Sequence, residues 1–187
     1  MTWGQANAPA MLEDLNPSAS EADIVALEAE LGLSIPTNFR ESLKVHNGES
    51  DGWPCKVFAD CGAYLGTDRI LETWRQLQEI AADLSDYQVD MPDREDLIRE
   101  GIIEVSGPVR PEMYLPEWIP IMECNGDVFW ALDLAPDAGG TSGQIIEVDW
   151  EGCSWKVVAD SFAVFLDRYA AGLEAGDYQI AEGLPTK

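Results

Sequence analysis

The sequence predicts a single α+β domain, an antiparallel sheet of about four to six strands with helices packed around it. Three observations predict it. WIPIMEC and DVFWALDL, then GQIIEVDW and CSWKVVAD, alternate in hydrophobicity and are split by glycine turns at Asn125-Gly126 and Glu151-Gly152. Helical stripes with their own start signals lie before and after these segments. A length of 187 residues, with 46 % hydrophobic and 25 % charged content, suits one folded core and not a disordered chain.

The elements follow in order. Residues 1–19 read as a loose lead-in, because Pro9 and Asn16-Pro17 discourage helix. Ser20-x-x-Asp23 approximates a capping box, and Ile24, Leu27 and Leu31 form one stripe that stops at Gly32. A short helix follows Pro36 and Thr37, with Phe39 and Leu43 facing inward and Gly48 placed as a C-terminal cap. Residues 56–65 read as extended. Thr67 then opens the longest helical pattern, with Ile70, Trp74, Leu77, Ala81 and Leu84 on one face. The acidic, proline-punctuated stretch near 85–116 reads as an insertion without a core of its own, containing a short helix at 93–100.

For the first hairpin, a two-residue turn pairs Met122 with Phe129 and Ile121 with Trp130. In the second, Ile146, Val148, Trp150, Cys153, Trp155 and Val157 face inward, while Glu147, Asp149, Ser154 and Lys156 face outward. Glu147 and Lys156 become cross-strand neighbours. Trp130, Trp155 and Phe165 are expected among the most buried side chains. Ser161 caps a closing helix to residue 175, and 176–187 form a C-terminal tail.

Charge is the outlier. Asp plus Glu number 35 against 11 Lys plus Arg, for a formal net charge of −24, and the acids run the whole length of the chain. Such a surface repels phosphate backbones and anionic lipid, so neither nucleic acid nor membrane is an expected partner. It attracts basic proteins or cations. With no basic n-region and no long apolar run, a cytoplasmic location is expected.

Catalytic and metal chemistry find little support. Cys55, Cys61, Cys124 and Cys153 include no C-x-x-C pair, and His46 is the single histidine, so zinc lacks its ligand groups. Cys124 and Cys153 read as small strand hydrophobes, and a Cys55–Cys61 disulfide stays open. Ser142, in Gly-Gly-Thr-Ser-Gly, is no nucleophile elbow, and that loop lacks the lysine and helix of a phosphate loop. His46, before Asn47-Gly48, reads as a helix-end capping residue. Glu147-x-Asp149-x-Glu151-Gly152 imitates the start of a calcium loop, but Val158 occupies the place of the bidentate glutamate. No enzyme activity, cofactor or metal is expected.

Together these pieces resemble the SUKH superfamily, the Smi/Knr-like domain named from fungal cell-wall assembly regulators and widespread in bacteria. The resemblance rests on IPTNFRESLKVHNG after the first helix, the TDRILETW helix, WIPIMECNGDVFWALDL, GQIIEVD and the closing SFAVFLDRY, and it covers roughly residues 20–172. It implies a non-catalytic binding protein. The bacterial branch implies an immunity protein that neutralises a cognate toxin domain; the alternative is an intracellular adaptor or regulator with no toxin. Gly126, Asp127 and Asp133 match as structural residues.

An acidic immunity protein suits a basic toxin, which the summed charge would steer. The candidate partner-binding residues are Glu49 and Asp51 beside Trp53, a loop aromatic, together with Asp137, Glu147, Asp149 and Glu151. Asp86, Asp90 and Asp93 offer an alternative face.

Overall fold

The computed structural model describes residues 2–50, 57–59, 61–87, 94–181 and 184–186. The stretch read as a loose lead-in contains two short helices, α1 (Trp3–Asn7) and α2 (Pro9–Glu13). Pro9 starts α2 instead of preventing it, since the first helical residue needs no N–H. α3 (Glu21–Leu31) has the expected capping box of Ser20 and Asp23 and ends on Gly32 in the left-handed conformation. α4 (Thr37–Leu43) buries Phe39 and Leu43. β1 (Ala63–Tyr64) precedes α5 (Thr67–Tyr87), and α6 (Arg94–Arg99) precedes β2 (Glu104–Ser106).

The hairpin strands are β3 (Trp118–Cys124), β4 (Val128–Asp133), β5 (Gln144–Asp149) and β6 (Ser154–Ala159), followed by α7 (Phe162–Ala175). Within the expected tail, β7 (Gln179–Ala181) and β8 (Leu184–Thr186) form a separate small hairpin that reaches α2.

The fold is a single α+β domain around a six-stranded sheet of order β1-β3-β4-β5-β6-β2. Five strands are antiparallel. The sixth, β2, runs parallel to β6, so the sheet is mixed at one edge. That edge comes from the acidic stretch near 85–116.

The second hairpin has the expected register, with Glu147 opposite Lys156 and Val148 opposite Trp155. The first is displaced by one residue. Met122 faces Trp130 and Glu123 faces Phe129, because the turn holds three residues, Asn125, Gly126 and Asp127. Asn125 and Gly126 both have positive φ, and the Glu123 carboxylate accepts the Gly126 N–H. A bulge between Pro120 and Met122 then restores the expected register, with Pro120 opposite Ala131, Ile119 opposite Leu132 and Trp118 opposite Asp133, and turns both Ile121 and Met122 to the same face.

Each sheet face carries its own hydrophobic cluster. On one, α3, α4, the start of α5 and α7 bury Ile24, Leu27, Phe39, Ile70, Phe162 and Phe165 against Ile119, Trp130 and Ile145. On the other, Ile103, Val109 and Tyr114 join Leu77 over Trp118, Phe129, Val148 and Trp155. The acidic stretch, read from sequence as an insertion, is therefore the cover of the second face. Trp74 on α5 packs against both clusters. Trp130 and Trp155 on the strands and Phe165 on α7 are all buried, as expected.

Candidate functional site

The residues proposed from sequence do not converge. Glu147 pairs with Lys156 at 3.4 Å, and Asp149 accepts the Gly152 N–H at 2.7 Å, which stiffens the β5–β6 turn. Glu151 is exposed at that turn, whereas Asp137 is exposed in the β4–β5 connection, at the other end of β5. A six-residue strand separates them by about 20 Å.

Glu49 is not a surface residue at all. It is 2 % exposed, its carboxylate accepts the Val57 N–H at 3.2 Å, and its own N–H donates to the Tyr64 carbonyl. It borders a polar cleft instead of standing on an open surface. Asp51, Trp53, Cys55, Asp90 and Asp93 lie outside the described residues, and so does the side chain of Asp86. Among the described residues, no group of three or more His, Cys, Asp or Glu is placed to hold a metal ion.

Two clefts flank the first hydrophobic cluster. The polar one, of about 310 Å³, lies where Asn47-Gly48 meets Gly66-Thr67 and includes Asn16, Ser50, Asp68 and Arg69. Its architecture is structural. Asn47 Oδ1 accepts the Thr67 N–H and its Nδ2 donates to Thr67 Oγ1, so this side chain caps α5. Gly48 has φ +75°, and a Cβ there would lie 2.2 Å from Gly66 N. Asn-Gly thus joins two backbone segments and does not terminate α4. The His46 ring likewise bonds the Asn16 carbonyl at 3.1 Å instead of capping α4.

The second cleft, of about 410 Å³, is lined mainly by apolar side chains. α4 and the residues just after it supply one wall, with Asn38, Glu41, Ser42 and Val45; Phe162 and Leu166 of α7 supply the other. Its floor is an aromatic cluster. Tyr64 stacks on Phe162 at 6.4 Å and meets Phe58 edge-on at 5.4 Å. Ser42 Oγ and the Tyr64 hydroxyl lie 3.0 Å apart, and burial pushes the Tyr64 phenol up to about 12. Val45 is 64 % exposed at the cleft. These walls come from distant parts of the chain, and no local pattern marks them.

Asp133, which the resemblance marked as structural, is fully buried at the end of β4. Oδ1 accepts from Trp118 Nε1 at 3.1 Å and from the Ala135 N–H at 3.0 Å, while Oδ2 accepts from Gln144 Nε2 at 3.0 Å. Burial outweighs these donors and raises its pKa above the ordinary value. It ties both ends of the glycine loop to the sheet.

Among the described residues the geometry offers a shaped apolar cleft beside the first hydrophobic cluster. Comparison with known proteins agrees with the architecture. Residues 18–168 match the SMI1 / KNR4 family (SUKH-1). The chain belongs to that family. A similar protein is the glucan synthesis regulatory protein of Neurospora crassa, 28 % identical in an alignment 203 residues long that covers 96 % of this chain and 38 % of the relative. The cell wall biosynthesis/cell cycle regulator smi1 of Schizosaccharomyces pombe is also 28 % identical, over 96 % of this chain and 36 % of its own length. For the cell wall assembly regulator SMI1 of Saccharomyces cerevisiae the values are 22 % identity, 96 % and 40 %. The chain thus spans about two fifths of the length of these relatives or slightly less.

These relatives are fungal regulators. They overturn the expectation of a bacterial immunity protein acting on a polymorphic toxin and favour the adaptor or regulator reading.

Proposed function

We propose that this chain is a non-catalytic, intracellular binding module of a regulator of cell-wall assembly. The observation that carries the reading is the alignment of 96 % of the chain with proteins named as regulators of glucan synthesis and of the cell wall. The fold supports it: both sheet faces are filled by hydrophobic side chains, and the open apolar cleft is suited to receiving a protein segment. The acidity favours a basic partner.

The test is replacement. In a Saccharomyces cerevisiae strain lacking its cell wall assembly regulator SMI1, the matching segment of that protein is exchanged for this chain. Restored growth under a wall-perturbing dye is the expected result. A chimera that accumulates normally and leaves the strain sensitive would overturn the reading.

A further inference from the structure

We infer that the cleft between α4 and α7 is a docking site for a short extended segment of a partner protein, carrying one or two large apolar side chains flanked by lysine or arginine. This rests on the reading of the chain as a binding module and names its contact surface and the chemistry of its partner.

Three features define the occupant. The walls, Leu15, Val45, Val57, Phe58, Phe162 and Leu166, call for apolar anchors, and a volume of about 410 Å³ has room for only a few of them. Asn38 lines the cleft with Oδ1 buried and without a hydrogen-bond partner among the described residues, so an occupant that displaces this side chain and offers a free N–H gains a bond. An extended segment has backbone N–H groups to spare, while a helix beyond its first turn has already used them.

Charge decides the flanks. Glu41 lines the cleft and is exposed, and Asp167, next to Leu166 along α7, is a second exposed carboxylate. The two cations of the α4 wall are held by carboxylates, and Arg168, after Asp167 on α7, donates to the Val158 carbonyl. Arg40 is held by Glu21 and Glu28, and Lys44 by Glu21 at 3.2 Å and Glu41 at 2.9 Å. On a chain of net charge −24, this opening presents a negative field to whatever approaches.

The experiment selects peptides from a random phage-displayed library on the intact chain, then measures synthetic copies by fluorescence polarisation. Selected peptides should carry aromatic or branched aliphatic anchors between basic residues. Val45→Asp, at an exposed position, should weaken them at least tenfold. Glu41→Lys should weaken them about fivefold, and raising the salt several-fold should do the same. Failure to enrich any peptide, acidic flanks, or unchanged affinity in Val45→Asp would overturn the assignment. The replacement strain separates the two ideas. If Val45→Asp abolishes peptide binding and still rescues growth as well as the parent, the cleft has no part in regulation and the assignment falls, while the regulator reading stands. If the parent chimera binds the peptides through the cleft but gives no rescue, the regulator reading falls and the docking site stands.

Discussion

Asn47 grips Thr67 twice, through 2.8 Å to the backbone N–H and 3.2 Å to the hydroxyl. One side chain thereby fixes the start of the longest helix to the loop after α4. Asn47→Ala removes the cap and should cost about 1–2 kcal/mol in urea unfolding. Gly48→Ala should cost more, because its Cβ would lie 2.2 Å from Gly66 N at a φ of +75°. A Gly48→Ala protein as stable as the parent would show that the two segments separate easily.

The cover of the second sheet face gives a test on adjacent residues. Ile103 is buried in that layer, whereas its neighbour Ile102 is 53 % exposed. Ile103→Ala should destabilise the protein by about 2 kcal/mol or more, and Ile102→Ala by less than about 0.5 kcal/mol. Equal effects would mean that the acidic stretch is only loosely applied to the sheet.

Asp133 gives the pH dependence a sign. Its folded pKa is raised above the ordinary 3.8, chiefly by burial. A raised value means that its contribution is fully present below about pH 4 and is lost as pH rises through the folded pKa. The stability difference between the parent and Asp133→Asn should therefore favour the parent most at acid pH and shrink towards pH 8. A difference that grows with pH would show that the three donors stabilise the carboxylate more than burial opposes it.

Of the five tyrosines, Tyr64 and Tyr114 are held above their ordinary value of 10, Tyr64 to about 12. Both shifts come first from burial. A spectrophotometric titration of the folded protein should leave these two phenols protonated above pH 10, and in urea both should titrate near 10. The stabilising share of Tyr64 is complete below pH 10 and disappears as pH passes about 12.

What could be read in advance was local. Ser20 with Asp23 and Ser161 announce their helices because a cap and its donor sit within one turn. Asn125-Gly126 announces a reversal, but the third turn residue, held by the Glu123 carboxylate, slips the pairs next to the turn by one, and the bulge at Pro120 restores the expected register beyond it. Pro9 was misleading because it favours a helix start as strongly as it breaks a helix interior. Glu49 looked like a surface acid beside a turn. Its burial rests on partners outside the turn, the Val57 N–H and the Tyr64 carbonyl among them. The apolar cleft was illegible for the same reason, since Leu15, Val45, Phe58 and Leu166 become neighbours only in the folded chain.

The parallel edge strand has a consequence for synthesis on the ribosome. β2 leaves the exit tunnel roughly 50 residues before β6, the strand it must lie beside, and at about 5–20 residues per second it waits several seconds for that partner. Ile103, just before β2, waits through that interval for Trp155 and the rest of the layer it joins. The dense negative charge of the surrounding stretch keeps this waiting segment apart from neighbouring nascent chains, so the same acids that shape the finished surface also guard its assembly.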